Sequence, residues 1–214
     1  MEAFRFDRGK LRSIIREIDG YLEERDQVRE KAIRLSRDIV RYSGWSVTSV
    51  HKGDMDAARR NLREAEDRAI RLLSILKPYP ELYYSGIVNN AVSEYVEAKL
   101  LLSLLEGRGL PGPEELGVPP VPYLQGLGDL VGELRRLALE LVRRGNYSDA
   151  WRLVEAMEAI YLELRGLDYP EALAPGVRHK ADVARRLVDD TKAFLVDMES
   201  RAELSSLLRR VQGL

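Results

Sequence analysis

The stretch Ala91-Val-Ser-Glu-Tyr-Val-Glu-Ala-Lys-Leu100 carries two carboxylates, Glu94 and Glu97, within a largely apolar segment. Three residues are close to one turn of an α-helix, so both side chains lie on the same helical face. The helical stripe that runs through Glu94 also contains Ile87, Ala91, Ala98, Leu101 and Leu105. We therefore expect the two acids to lie on the apolar side of a helix.

A second stretch, Gly126-Leu-Gly-Asp-Leu-Val-Gly-Glu-Leu134, has the same character. Its two acids, Asp129 and Glu133, are four residues apart, which again places them on one helical face. Each of its three glycines costs a helix about 1 kcal/mol relative to alanine. We predict that these glycines allow a neighbouring helix to approach closely, which would bring the two acidic pairs together.

Four carboxylates on buried helical faces are costly to desolvate and repel one another. A divalent cation would offset both effects, and Mg²⁺ and Mn²⁺ prefer hard oxygen ligands. The alternative is that the acids pair with arginine or lysine on a solvated surface, where Glu-x-x-Glu is common. Spacing alone leaves both interpretations open.

Apolar residues recur at helical spacing along the whole chain, and no stretch has the alternation of a β-strand. The spacing predicts helices over residues 6–50, 55–76, 81–106, 123–144, 149–164 and 175–211, with a short helical turn over 114–116. We expect an all-α fold, a single-domain bundle of six or seven helices over residues 1–214. The first helix would be about 60 Å long, with a kink or break near Gly20.

The composition excludes several classes of protein. The 214 residues include no cysteine, so disulfides and thiolate metal sites are excluded. The formal net charge of −1 gives no global signal for nucleic acid. No segment approaches the roughly 18 apolar residues of a membrane span, and the charged first residues do not resemble a signal peptide. We expect a cytoplasmic protein that does not enter a membrane.

Several local strings together resemble the translin superfamily. They are Leu35-Ser-Arg-Asp-Ile39, Glu94-Tyr-Val-Glu-Ala98, the stretch from Gly126 to Leu134, and Gly145-Asn146-Tyr147 followed by a helix. The acidic pairs in their flanking context most resemble the branch of translin-associated factor X (Trax), in its prokaryotic or archaeal form. The resemblance covers nearly the whole chain.

The resemblance implies a translin-like helical fold and a Mg²⁺- or Mn²⁺-dependent endoribonuclease site on Glu94, Glu97, Asp129 and Glu133. It also implies binding of single-stranded RNA, with single-stranded DNA as a further ligand, and self-association into a hollow homo-octamer. One feature departs from the family. Residues 83–90 here read Tyr-Tyr-Ser-Gly-Ile-Val-Asn-Asn, where translin-type sequences carry a basic, histidine-rich patch.

Five arginines are candidate phosphate ligands, because guanidinium groups pair well with phosphate oxygens. These candidates for nucleic-acid binding are Arg37, Arg41, Arg59, Arg60 and Arg63. The alternative is that they are solvated helix charges paired with Glu64, Glu66 and Asp67.

Three tyrosines, Tyr83, Tyr84 and Tyr95, are candidates for stacking on bases, although such residues more often lie at the edge of a core. We favour the core-edge interpretation. The two histidines, His51 and His179, are far apart in sequence and neither lies in Glu-x-x-His. A ferritin-like di-iron bundle and a histidine-relay nuclease are therefore not expected.

We interpret the sequence as a metal-dependent endoribonuclease that cleaves single-stranded RNA within a homo-oligomer. Three alternatives remain: a non-catalytic translin-type binding protein, a helical nucleoside-triphosphate pyrophosphatase, and a scaffold without chemistry. The pyrophosphatases pair Glu-x-x-Glu with Glu-x-x-Asp, whereas the second pair here is Asp-x-x-x-Glu. The number of metal ions stays open, as does the choice of Glu97 or Glu133 as general base.

Overall fold

A computed structural model describes residues 6–211. Over this range the chain forms eight helices and no strand, which confirms the all-α prediction. The helices are α1 (Arg8–Lys52), α2 (Met55–Leu76), α3 (Pro80–Tyr83), α4 (Gly86–Leu105), α5 (Pro113–Leu116), α6 (Pro120–Arg143), α7 (Tyr147–Arg165) and α8 (Val177–Val211).

Helix α1 is continuous over 45 residues, so the prediction of a break near Gly20 is wrong. The cost of about 1 kcal/mol for one glycine is too small to interrupt so long a helix. The helix begins where the Asp7 side chain accepts hydrogen bonds from the backbone N–H groups of Gly9 and Lys10. It ends at Gly53, whose φ of 78° is left-handed. At 1.5 Å per residue its length is about 68 Å.

The helix predicted over residues 81–106 is in fact two helices, α3 and α4. The break lies at Tyr84 and Ser85, and Ser85 adopts an extended backbone with φ −68° and ψ 150°. The Ser85 hydroxyl does not cap α4 but donates to the Leu82 carbonyl over 2.6 Å, which closes the end of α3, and the extended backbone lets a new helix begin at Gly86. Helix α4 therefore starts at the point where the chain changes direction.

Helix α6 starts at Pro120, three residues before the start predicted at Tyr123. Proline lacks a backbone N–H. Because N–H groups in the first turn of a helix have no carbonyl partner within that helix, Pro120 and Pro122 are tolerated there. The last helix, α8, begins at Val177 rather than at Pro175.

Helix α4 lies at the centre of the bundle, where it packs against α1, α2 and α6. Its residues Leu100, Leu101 and Leu102 point in three different directions, yet each has at most 1% of its surface exposed. Burial of each leucine stabilises the fold by roughly 2 kcal/mol. Because α4 is covered on several sides, its acidic side chains are held against neighbouring helices.

Helices α1 and α2 pack closely through small residues. The Ser46 hydroxyl on α1 donates to the Ala58 carbonyl on α2 over 2.9 Å. On the other side of the bundle, α6 packs against α7 and α8. An ion pair of 2.5 Å between Lys192 and Glu158 links α8 to α7. These contacts bring the first half of α8 alongside α6.

Two apolar faces have no covering element in the described chain. Residues 8–24 of α1 are all exposed, including Leu11, Ile14, Ile15, Ile18 and Leu22. The distal part of α8 is likewise exposed, including Leu204, Leu207 and Leu208. Apolar surface of this extent marks an interaction surface. Within residues 6–211, none of the helices combines the length and apolar character that crossing a membrane requires.

Candidate metal centre

The two acidic pairs lie on the facing helices α4 and α6. A close approach of these helices at Gly126 makes this possible, since a β-carbon at that position would lie 2.5 Å from the Ser93 carbonyl oxygen and 2.8 Å from the Val96 β-carbon. The predicted role of Gly126 in close packing is therefore confirmed. Gly132 differs, because a β-carbon there would meet no atom within 4 Å. For Gly132 the prediction is wrong.

The electrostatics of Glu97 follow from its position between these helices. Burial raises the pKa of its carboxyl group to about 8, and the negative charges of Glu94, Asp129 and Glu133 contribute to this rise, whereas Lys180 lowers the pKa. All four carboxylates are therefore close enough to influence one another. The structure brings the four predicted acids into one cluster.

Glu94 shares this environment. Its pKa is raised first by burial and then by Asp129 and Glu133, while the Lys180 ammonium group opposes the shift. Within residues 6–211, neither Glu94 nor Glu97 has an ion pair or a side-chain hydrogen bond. Two of the four acids are therefore without a close cationic partner, and burial makes that arrangement costly.

The other two acids have partners from distant parts of the chain. The Lys180 ammonium group on α8 forms an ion pair with Asp129. The His51 imidazole, at the end of α1, hydrogen-bonds Glu133 through Nε2, and Arg136 lies 3.9 Å from the same carboxylate. The cluster is therefore built from four helices, α1, α4, α6 and α8.

Gly128 allows Lys180 to reach the cluster. A β-carbon on Gly128 would lie 2.7 Å from the β-carbon of Lys180, so α6 and α8 are in direct contact at this position. This contact confirms the close packing predicted for Gly128, although the neighbour is α8 rather than α4. It also places the lysine directly beside Asp129.

The donor chemistry of the cluster suits a hard divalent cation, because four carboxylates supply oxygen ligands and excess negative charge. The present rotamers do not preassemble such a site: within residues 6–211, no three Asp, Glu, His or Cys side chains are arranged around one ion-sized position. Lys180 and His51 instead engage Asp129 and Glu133. Binding of Mg²⁺ or Mn²⁺ would require these two carboxylates to change partners.

The five candidate arginines lie apart from this cluster, on α1 and α2. Two of them are engaged by acids: Arg41 lies 2.7 Å from Asp38, and Arg59 lies 2.9 Å from Asp56 and 2.6 Å from Glu106. These partners differ from the expected Glu64, Glu66 and Asp67. The remaining three are exposed and have no ion pair in the described part of the chain: Arg37, Arg60 and Arg63.

The tyrosines divide between core and surface. Tyr95 is buried on α4, and its hydroxyl donates to Glu66 over 3.1 Å. Tyr83 is half-buried against the core, which agrees with the core-edge prediction. The position of Tyr84 does not agree with that prediction, because 67% of its surface is exposed. The break before α4 explains this exposure, since it turns Tyr84 out of the helix.

Sequence reasoning missed His51 and Lys180. No spacing rule connects His51 with Glu133, because 82 residues separate them and the contact depends on how α1 packs against α6. Lys180 lies 51 residues from Asp129. The one available signal was Gly128, whose close approach to some neighbour was predicted without identifying that neighbour.

Together these features define an all-helical protein with a four-carboxylate cluster between its central helices. Residues 27–193 match the Translin family, and the chain belongs to that family. The resemblance proposed from the sequence is thereby confirmed. The chain is also 31% identical over 195 residues to the uncharacterized protein MJ0175 of Methanocaldococcus jannaschii, covering 90% of this chain and 86% of that protein.

Solved structures agree with this assignment. AfC3PO in complex with duplex RNA is similar to this chain with a TM-score of 0.80 and 30% identity, covering 87% of this chain and 97% of that one. AfC3PO determined by itself gives a TM-score of 0.79 with the same identity and coverage. Apo-NeC3PO gives a TM-score of 0.72 at 25% identity, covering 91% of this chain and 100% of that one. The fold is thus translin/Trax-like.

Proposed function

We propose that this protein is a Mg²⁺- or Mn²⁺-dependent endoribonuclease that cleaves single-stranded RNA within a homo-oligomer. The observation that carries the proposal is the half-buried cluster of Glu94, Glu97, Asp129 and Glu133, in which two carboxylates have no close cationic partner among the described residues. Such an arrangement is unfavourable as a structural feature and favourable as a cation site. The likeness to AfC3PO, a protein determined with duplex RNA, supports RNA as the ligand.

In this mechanism the four carboxylates would hold the metal. The bound ion would supply a Lewis acid that activates a water and offsets negative charge on the phosphate. Of the four, Glu97 is the better candidate for moving the proton, in which role it would not be a metal ligand, because no side chain among the described residues hydrogen-bonds its carboxylate. Glu133 is less suitable, since its carboxylate is engaged by His51 and Arg136.

Lys180 would have two roles in the same reaction. Without metal, its ammonium group offsets part of the charge of the cluster through Asp129. When the cluster holds a cation, Lys180 would be released and would be positioned to bind an RNA phosphate, which it can contact as a point charge. His51 would fix the orientation of Glu133.

The exposed apolar faces support self-association. The uncovered faces of α1 and of distal α8 would be buried between copies, and the translin resemblance favours eight subunits around a cavity. With the acids on the inner wall, only RNA that enters the cavity would be cleaved. Of the alternatives, a translin-type binding protein without catalysis would share this assembly.

The test is incubation of the protein with labelled RNA, labelled DNA and a panel of nucleoside triphosphates, each with Mn²⁺ and with EDTA. We expect RNA cleavage in Mn²⁺ and none in EDTA. RNA binding without cleavage under both conditions would support the non-catalytic alternative. Hydrolysis of a nucleoside triphosphate with RNA left intact would support a pyrophosphatase, and either result would contradict the proposal.

A further inference from the structure

A cleft of about 450 Å³ lies directly beside the acidic cluster. Its walls are formed by Tyr84 in the break before α4, by Asn89 in the first turn of α4, by Gln125 on α6, and by Lys180 on α8. This volume falls within the range of small-molecule sites in proteins. Among its described lining residues there is one cation and no carboxylate, so the cleft suits a neutral polar group attached to an anion.

The cleft adjoins the acidic cluster at two points. Lys180 lines the cleft and also pairs with Asp129. Ser93 lines the cleft as well, and the next residue in the chain is Glu94. A nucleotide whose base occupied the cleft would therefore have its own phosphate beside the carboxylates.

Tyr84 provides an aromatic wall for this cleft. Its surface is 67% exposed, and the ring of Tyr83 packs against it edge-on, with centroids 5.0 Å apart and an interplanar angle of 72°. Tyr83 is itself packed on the core. The Tyr84 ring is thus supported by a neighbour without being covered, which leaves it able to stack on a base.

The amide groups of the cleft have a defined orientation. The Gln125 Nε2 group donates to the Pro175 carbonyl over 2.7 Å. Because a carbonyl only accepts, this contact assigns the nitrogen end of the amide and leaves Oε1 as an acceptor. Asn89 is similar, since its Nδ2 group donates to the Tyr84 carbonyl over 3.4 Å. The cleft therefore offers amide oxygens that accept hydrogen bonds.

Acceptors of this kind favour bases with an exocyclic amine. Cytosine presents an NH₂ donor on C4, where uracil presents a carbonyl oxygen. Adenine presents a similar NH₂ donor on C6. In the same pose uracil would place its O4 carbonyl against the amide oxygen, where no hydrogen bond forms, and only a shifted pose would offer its N3–H donor instead. The cleft is thus expected to discriminate against uracil.

We propose that this cleft binds the base of the nucleotide next to the cleaved phosphate, and that it selects a base with an exocyclic amine. Tyr84 stacks on the base, Gln125 accepts from the amine, and Lys180 contacts the phosphate. This inference rests on the proposed ribonuclease function, which it deepens by assigning a base subsite and a base preference.

The first experiment measures binding in EDTA, so that cleavage does not contribute. Fluorescence anisotropy with the full chain should give a Kd for oligocytidine about 5- to 10-fold lower than for oligouridine, as expected for one hydrogen bond. Gln125→Met should abolish this preference. Tyr84→Ala should weaken binding of both oligomers at least about 5-fold, whereas Tyr84→Phe, which keeps the ring, should bind like wild type.

The matched control is Tyr169→Ala, which removes a tyrosine that is 60% exposed and lies outside the cleft. It should leave both Kd values unchanged, and circular dichroism should show equal helicity for all variants. Equal Kd values of the wild type for oligocytidine and oligouridine would overturn the inference. So would a loss of affinity in Tyr169→Ala as large as in Tyr84→Ala.

The second experiment uses oligouridine that contains one cytidine, incubated with Mn²⁺. Cleavage should concentrate at a linkage adjacent to the cytidine, and Gln125→Met should cleave all linkages evenly. Even cleavage by the wild type would contradict the base subsite while leaving the ribonuclease function intact. If the wild type neither binds nor cleaves any RNA, the proposed function itself fails, and the subsite fails with it.

Discussion

Gly126 on α6 lies so close to Ser93 on α4 that a β-carbon at position 126 would stand 2.5 Å from the Ser93 carbonyl oxygen. Backbone atoms cannot move aside as the end of a flexible side chain can. This contact therefore fixes how near α6 comes to α4. It also fixes the separation of the two acidic pairs, because one pair follows Ser93 on α4 and the other follows Gly126 on α6.

Replacement of Gly126 by alanine should force α4 and α6 apart. We expect Gly126→Ala to lower the free energy of unfolding by about 1–3 kcal/mol, the usual cost of overpacking. The control is Gly132→Ala on the same helix, where the new methyl group meets nothing within 4 Å. That variant should be up to about 1 kcal/mol more stable than wild type. Chemical denaturation measures both, and equal effects would refute the close approach at Gly126.

The raised pKa of Glu97 predicts a stability that depends on pH. Its folded-state pKa of about 8 lies above the ordinary value of 4.5, so the folded state holds this proton more tightly. The stabilisation is present below pH 4.5 and is lost as the pH rises through 8. Between these values the free energy of unfolding should fall by up to about 1.4 kcal/mol per pH unit.

Glu97→Gln tests this prediction, because glutamine does not titrate. In EDTA the free energy of unfolding of the variant should decline much less than that of the wild type between about pH 6 and pH 8. At the upper end of this range the variant should be the more stable protein. Excess Mn²⁺ should stabilise the wild type most at high pH, where the carboxylates are ionised. A wild type and variant with parallel pH profiles would show that Glu97 is not the titrating group.

The exposed arginines of α2 should contribute to RNA affinity through phosphates. The double variant Arg60→Ala/Arg63→Ala should reduce the slope of log K against log salt by about 0.7 for each phosphate that it no longer binds. Arg143→Ala serves as the control, because that guanidinium is already bound to Glu140. A double variant with the wild-type slope would exclude Arg60 and Arg63 from the interface.

The uncovered face of α1 predicts assembly. Size exclusion coupled to light scattering should give about 195 kDa for eight chains of 24.4 kDa, and a monomer would contradict the prediction. Ile15→Glu, on the exposed first part of α1, should yield smaller species. Leu162→Glu, at an equally exposed position on α7, should not change the mass. Within a hollow assembly, long stable duplexes should be cleaved more slowly than single strands.

Much of the helical framework could be predicted from sequence, because apolar periodicity is a local property. The exact limits of α1 and α4 could not. Gly20 suggested a break that is absent, whereas the break at Tyr84 and Ser85 was not predicted although the Ser85-Gly86 pair is a turn signal. The cost of one glycine in a helix is about 1 kcal/mol, which the helix-forming residues on either side outweigh even at Gly20, where no other described element lies within contact.

The acidic cluster also divides into features that local sequence predicts and features that depend on tertiary packing. Spacing placed each pair of acids on one helical face, and Gly126 indicated the helix contact that joins them. The partners His51 and Lys180 could not be predicted from local spacing, since 82 and 51 positions separate them from the acids that they contact. Local pattern thus identified the carboxylates, and only the packing of α1 and α8 revealed the side chains that contact them.

The most direct test of the proposed chemistry is single-turnover cleavage of labelled RNA in Mn²⁺ by Asp129→Asn and by Glu158→Gln. Both substitutions neutralise an acid that pairs with a lysine of α8, but only Asp129 lies in the four-carboxylate cluster. Asp129→Asn should lose cleavage by at least about 100-fold while it retains RNA binding, helicity and oligomer size. Glu158→Gln should cleave like wild type. Wild-type cleavage by Asp129→Asn would contradict the assignment of the cluster as the catalytic metal centre.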